Sequence, residues 1–308
     1  MTRRTVRAQP SPTTSLGTAS ATRRPSGLVA PGGFCLHWLH MDASTTGKRR
    51  LTALVVAVVL AQLITAGAQT GDGPALLAAF KAWQKTDASQ AGWSDALEQY
   101  RAKLVRDGRS TTEADRTVRL ITAYDEAELY DSVYTKPPEF NTAPNQLLVD
   151  AIRGVRPGRA LDVGMGMGRN AVYLARTGWD VTGFDVSTVG VRQAEATART
   201  EQLRLRAHIA ADEEFDFGVS QWDLIAVIYA IEKRSIHRIR EALRPGGLLV
   251  VEAGINPDPA AAFGYTPGEL LKLFDGFEVL KHEQVEGAYD WGPERIPLVR
   301  FVARKPTG

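Results

Sequence analysis

The sequence predicts an α/β fold: a doubly wound, mostly parallel seven-stranded sheet with helices on both faces and a helical appendage ahead of it. Three observations carry this expectation. From position 135 onward short apolar runs alternate with helical stretches, a glycine-rich turn at 164–168 ("GMGMG") joins the first run to a helix, and Gly73 to Tyr134 shows helical spacing throughout. Alternation of this type lays strands side by side and covers them with their crossover helices.

In chain order, residues 1–47 are rich in Ser, Thr, Pro, Gly and Arg without a sustained period and are expected to be disordered, with Met41 as an alternative start. Residues 48–70 are ordered like an export signal: Lys48, Arg49 and Arg50, the apolar Leu51 to Ile64, then the small Ala66-Gly67-Ala68 before Gln69. The uncharged stretch 51–71 is equally long enough, at about 20 residues, to anchor in a bilayer. Either way the basic cluster predicts an exported or membrane-anchored protein, with a cytoplasmic one as the alternative. Arg49-Arg50 makes a poor twin-arginine motif, because Thr52 and Ala53 stand where bulky apolar residues belong.

The appendage, 73–134, carries one stripe of Leu76, Leu77, Phe80 and Trp83 and a second of Trp93, Leu97, Tyr100 and Leu104. Stripes at this spacing predict buried helix faces. Asp107-Gly108 ends the second helix, and Ser110-Thr111-Thr112-Glu113 opens a third with Val118, Ile121 and Tyr124. In the remaining domain, 135–308, Thr142 is expected to cap a helix through Leu147 and Ile152, and Pro157-Gly158 turns the chain into a strand at 159–163. Further strands are expected at 181–184, 205–210, 222–229, 247–252, 277–282 and 298–303. Helices are expected at 170–176, after Asp185 to about 201, at 233–243 and near 269–274.

Composition narrows the function. Eight of the 37 basic residues but only one of the 35 acidic ones fall in the first fifty positions, leaving 29 bases against 34 acids beyond them. An acidic folded part argues against nucleic acid as partner, since that affinity rests on clustered Lys and Arg. Cys35 is the only cysteine, so the chain offers no disulfide framework, no CxxC metal site and no cysteine nucleophile in its folded part. No metal site is expected.

The turn reads G-x-G-x-G through Gly164, Gly166 and Gly168, with Arg169 where a dinucleotide fingerprint requires glycine. Asp162, just before it, repels phosphate and favours an ammonium group. Asp185 closes the second strand near the offset at which a carboxylate takes two ribose hydroxyls. Asp212 follows the third, where an acceptor suits an exocyclic amine and Phe215 or nearby backbone can flank a purine. Singly, the turn fits plain strand-to-helix geometry and each carboxylate fits a cap or a solvated loop. Together, at successive strand ends, they describe a site for base, ribose and amino acid.

These residues resemble the class I S-adenosylmethionine-dependent methyltransferases, most closely their small-molecule and tellurite-resistance-type branch. The resemblance covers about 130–305 and is carried by "RALDVGMGMGRNAVYLARTGWDVTGFDVS", "WDLIAVIYA" and "LRPGGLLVVEA". It implies a Rossmann-like fold and S-adenosyl-L-methionine as cofactor. By the same resemblance Asp162, Gly164, Gly166 and Gly168 surround the methionine moiety, Asp185 takes the ribose hydroxyls and Asp212 the adenine amine, with Met165, Asn170, Val186 and Ala211 also among the cofactor-binding residues. Tyr134, with Tyr130, is a candidate lid, or else a core aromatic, and Arg169 an exposed helix-start arginine or a partner for a carboxylate.

A sulfonium donor is already activated, so in-line transfer needs alignment and exclusion of water more than side-chain chemistry. Tyr229 and Glu252, at the ends of strands four and five, are the candidate catalytic residues, to orient or deprotonate an acceptor; wall and structural roles are the alternatives. His237 and His282 read as solvated. Val227-Ile228-Tyr229-Ala230 lacks the amide or acidic clamp of base-amino DNA methyltransferases, which favours a small-molecule acceptor. Two other readings stay open. One is a nicotinamide-dependent oxidoreductase on the same fold class; the other is a catalytically silent, membrane-anchored cofactor-binding protein.

Overall fold

A computed structural model describes residues 73–307 except 89, 231–232, 259–263, 291 and 293. The leader at 1–47 and the signal-like or anchor segment at 48–71 lie outside the described residues. No helix among the described residues is long and apolar enough to cross a membrane.

Three helices precede the sheet: α1 (Gly73–Asp87), α2 (Trp93–Arg106) and α3 (Thr111–Thr135). Their stripes bury as the spacing predicts, with Phe80 packed edge-on to Trp93 (5.1 Å) and Tyr100 (5.3 Å). The start of α3 is a capping box: the Ser110 hydroxyl accepts from the Glu113 amide (3.2 Å), and the Ser110 amide donates to the Glu113 carboxylate (2.9 Å). Ser110→Ala is expected to cost about 1 kcal/mol, read as a lower urea midpoint with unchanged slope. The appendage core is completed by Val186 and Ala211 from the rim of the sheet. Arg119 pairs with Glu213, and the Tyr124 hydroxyl donates to Glu214 at 2.7 Å.

The sheet consists of β1 (Arg159–Val163), β2 (Asp180–Asp185), β3 (Leu205–Ile209), β4 (Trp222–Ile228), β5 (Leu243–Gly254), β6 (Glu278–Ala288) and β7 (Arg295–Arg304), in the order β3-β2-β1-β4-β5-β7-β6. The first five strands run parallel, and β7 inserts antiparallel between β5 and β6. Strand residues alternate between two cores, as a period of two requires. Leu161, Val163, Ile225, Val227, Leu249 and Val251 face α7 (Ile236–Ala242) and α8 (Glu269–Leu273). Ala160, Leu224, Ala226, Leu248 and Val250 face α4 (Gln146–Ala151), α5 (Arg169–Arg176) and α6 (Thr188–Thr200). This is the doubly wound fold that the alternation predicts.

Several boundaries differ from expectation. The cap of α4 is Asn145, not Thr142; its Oδ1 accepts from the amides of Leu147 (3.0 Å) and Leu148 (3.3 Å). Pro144 excludes an earlier start, because it pushes Ala143 out of the helical region. Strand β4 stops before Tyr229, whose φ of +55° turns the chain. Strand β5 begins at Leu243, paired with Trp222 across a register shift. His237 is exposed, but His282 is not solvated at Nε2, which is buried beside Phe301 without a hydrogen-bond partner among the described residues.

Candidate active site

Strand order reverses between β1 and β4, and a crevice opens at their carboxyl ends, where α/β sheets bind ligands. The glycine turn forms its floor. Gly166 (φ +52°) lies so close to Tyr134 that a Cβ there would meet the phenolic oxygen at 2.5 Å. Gly168 (φ +80°) starts α5, and its missing Cβ admits Ala194 of α6 at 2.6 Å. Both positions combine left-handed backbone with close approach, which glycine alone accommodates.

Two adjoining cavities occupy the crevice. The first, about 130 Å³, is lined by Gly164 and Asp185, by Val186, Ala211 and Asp212, by Tyr229, and by Ala123, Glu126, Tyr130 and Tyr134 of α3. The second, about 190 Å³, shares Tyr134, Gly164 and Ile228 with it and adds Met165, Gly166, Gly168, Arg169 and Asn170, with Phe140, Pro144 and Asp290 opposite. The structure thus brings together ten of the eleven expected cofactor residues: Gly164, Met165, Gly166, Gly168, Asn170, Asp185, Val186, Ala211, Asp212 and Tyr134. Asp162 lines neither cavity. It is buried, with Oδ2 unpartnered among the described residues and a hydrogen bond from the Ala171 amide in the first turn of α5. Burial pushes its carboxyl up to about 7, against the opposing charge of Arg169.

Asp185 is buried at the end of β2. It accepts from the amides of Gly166 (2.9 Å) and Ser187 (2.8 Å), which ties the glycine turn to the next strand. Burial pushes its carboxyl up to about 6; the two amides oppose this and the Asp131 charge adds to it. Tyr130 and Tyr134 stack at 6.2 Å and form a wall over the crevice. Burial raises the pKa of both phenols, that of Tyr130 to about 12.

Two side chains near the base end behave otherwise than expected. The Asp212 carboxylate accepts from Ser235 Oγ, so one of its oxygens is engaged within the protein. Phe215 is not a purine wall: it stacks on Phe184 at 4.2 Å within the core, outside both cavities.

The catalytic candidates separate. Tyr229 lines the first cavity, whereas Glu252 lines neither. Glu252 is buried behind the wall and accepts from Asn145 Nδ2 (2.6 Å), the Tyr229 hydroxyl (2.7 Å) and Arg300 Nε (2.7 Å). These three donors tie Glu252 to the protein, away from the two cavities. Tyr229 is no base, since burial and the adjoining Glu252 carboxylate raise its pKa and it donates its proton to that carboxylate.

Asn145 also donates to Asp290 (3.1 Å), which pairs with Arg169 (2.8 Å) and accepts from Asn141 (3.0 Å). Burial would raise the Asp290 carboxyl, but Asn141 and Arg169 hold it below the usual range. Arg169 is thus held by a carboxylate of the protein itself rather than exposed at the helix start, and Asn170 Oδ1 accepts from the Asn145 amide (2.9 Å). Sequence reasoning missed Asn145, Asp290 and Arg300, and of the α3 wall it had Tyr130 and Tyr134 but missed Ala123 and Glu126. The recurrence of Ala123, Glu126, Tyr130 and Tyr134 on one helical face was the available signal for α3. Asp290, in the β6–β7 connection, carries none.

A family model described as Tellurite resistance protein TehB matches residues 128–294, more than half of the chain. The chain is 29% identical over 181 residues to Hemagglutinin 1 of Eikenella corrodens, covering 54% of this chain and 60% of that protein. It is 27% identical over 162 residues to the Probable S-adenosyl-L-methionine-dependent methyltransferase TehB of Haemophilus influenzae, covering 47% and 55% respectively. The crystal structure of TehB from Haemophilus influenzae superposes with a TM-score of 0.49 at 23% identity, over 54% of this chain and 63% of that one. The chain spans less than two thirds of the length of each of these proteins.

Proposed function

The chain belongs to the TehB family, and we propose that it binds S-adenosylmethionine along the crevice and transfers the methyl group to a small-molecule acceptor. The observation that carries this reading is the line of groups along the rim. Gly164, Gly166 and Gly168 lie at one end, Asp185 in the middle, and Ala211 and Asp212 at the other. Their order suits an amino-acid tail, a ribose with two hydroxyl donors and a base with an exocyclic amine. The close approach of the turn at Gly166, which a Cβ would fill, fits a ligand held against backbone. Arg169 disfavours a dinucleotide, because its guanidinium is drawn across the turn to Asp290 (2.8 Å) and the Ala143 carbonyl (3.1 Å) where the fingerprint leaves room for a diphosphate.

When bound, this cofactor supplies a methyl group already activated on a sulfonium. The protein's own residues align and dehydrate: Tyr130 and Tyr134 close one side, and Tyr229, fixed by Glu252, walls the end of β4. Tyr229 keeps its proton, so the site suits an acceptor that is nucleophilic at working pH. A small acceptor accords with the acidic balance beyond residue 50.

Calorimetry with S-adenosylmethionine tests the reading. Asp185→Ala is expected to weaken binding by about 1–3 kcal/mol, the cost of charged hydrogen bonds lost in a buried site. Hydroxyl donors favour the ionised carboxylate, so wild-type affinity should rise as pH climbs through about 6, and Asp185→Asn should abolish that rise. Equal affinity in wild type and Asp185→Ala would overturn the assignment. Radiolabelled methyl transfer into a metabolite extract, with RNA and DNA as parallel acceptors, tests the acceptor class.

A further inference from the structure

We propose that Glu126, a residue of the helical appendage, binds the cofactor's adenine: its carboxylate takes the exocyclic amine alongside Asp212, so that a helix outside the sheet reads the base. This rests on the reading of the crevice as an S-adenosylmethionine site.

The first ground is the placement of α3. Ala123, Glu126, Tyr130 and Tyr134 all line the first cavity, and at 1.5 Å per residue they span roughly 16 Å of helix. The direction of that span is fixed at both ends. Tyr124 donates to Glu214 and Arg119 pairs with Glu213, just beyond Asp212, whereas the Tyr134 hydroxyl lies against Gly166 in the turn. Glu126 therefore stands at the base end of the crevice, on the side opposite the strand ends.

The second ground is the state of its neighbours. Asp212 is partly engaged by Ser235, and its carbonyl accepts from Arg238. An adenine amine carries two N–H donors, and one oxygen of Asp212 cannot serve both. The other acidic side chains of this part of α3 are occupied: Asp125 and Glu128 pair with Lys81, and Asp131 accepts from Ser187 and Val189. Glu126 accepts no hydrogen bond and joins no ion pair among the described residues, although it is only partly exposed and faces the cavity. A half-buried carboxylate in this condition is stabilised by any donor that arrives. Burial, then the charges of Asp125 and Asp212, already push its carboxyl above the usual range.

The test is calorimetry with S-adenosylhomocysteine and with its 6-deamino analogue, whose purine carries hydrogen in place of the amine. Wild type should prefer the amine-bearing compound. Glu126→Ala should weaken that compound about tenfold, as loss of a charged acceptor implies, while leaving the deamino analogue unchanged. Glu126→Gln, whose carbonyl oxygen still accepts, should fall between. Glu126 has no partner among the described residues and its charge is opposed by burial and by Asp125 and Asp212, so both variants should melt at or above the wild-type temperature without ligand. Variants that bind S-adenosylhomocysteine like wild type, or that lose both compounds equally, overturn the proposal and leave the methyltransferase reading standing. A wild type that binds neither compound overturns both.

Discussion

Glu252→Ala is expected to lower the free energy of unfolding by about 3 kcal/mol, at the low end of the range for breaking a buried ion pair. Arg300, one of its three partners, is 33% exposed and can turn its guanidinium to water. Asn145, which is buried, and Tyr229 have less freedom. Asn145 caps α4 and holds Asp290, which holds Arg169, while Tyr229 sits in a left-handed conformation with its amide bound to the Glu252 carbonyl at 2.8 Å. Such a backbone persists only where its surroundings hold it. The loss should therefore appear twice, as a lower urea midpoint and as weaker methyl transfer at cofactor saturation. Glu252→Gln keeps the shape and part of the bonding, so it should restore most of the stability. If Glu252→Ala unfolds at the wild-type midpoint, the network does not hold the rim together.

The sheet was legible because its signals are local. Apolar runs with turn residues between them set the seven strands, and glycines with a following helix mark the first crossover. The rim carboxylates were legible for the same reason: Asp185 and Asp212 each follow directly from a strand end. What sequence could not show was which side chains the fold engages from elsewhere. Glu252 looks like a rim carboxylate until Arg300, from the neighbouring antiparallel strand, and Asn145, from the start of α4, are brought to it. Phe215 looks like a wall for a base until Phe184 stacks on it. Apart from Tyr130 and Tyr134, the appendage read as buried stripes, because burial sets the helical period whether or not one face also lines a cavity. The family match begins within α3, so most of this appendage lies outside it.

Asp162 provides the second large effect, as a dependence of folding stability on pH. Its carboxyl titrates near 7 in the folded protein against an ordinary 3.8. Between those values the native chain holds a proton that the unfolded chain has released. Stability from this group is thus fully present below about 4 and is lost as pH rises through 7. At about 1.4 kcal/mol per unit, the interval amounts to roughly 4 kcal/mol as an upper bound. Asp185, raised to about 6, acts in the same direction over a narrower window. Carboxylates held low, such as Asp290 and Glu269, act oppositely and lose their contribution as pH falls. The ligand-free protein should therefore be most stable in mildly acidic solution and should lose melting temperature steadily from about pH 5 to 8. In Asp162→Asn an amide oxygen still faces the Ala171 amide and the side chain cannot ionise. That variant should lose most of the slope, keep the smaller part due to Asp185, and melt above wild type at pH 8. A wild-type melting temperature that stays flat from pH 5 to 8, or an Asp162→Asn profile parallel to wild type, would show that this buried carboxyl is not the group that titrates.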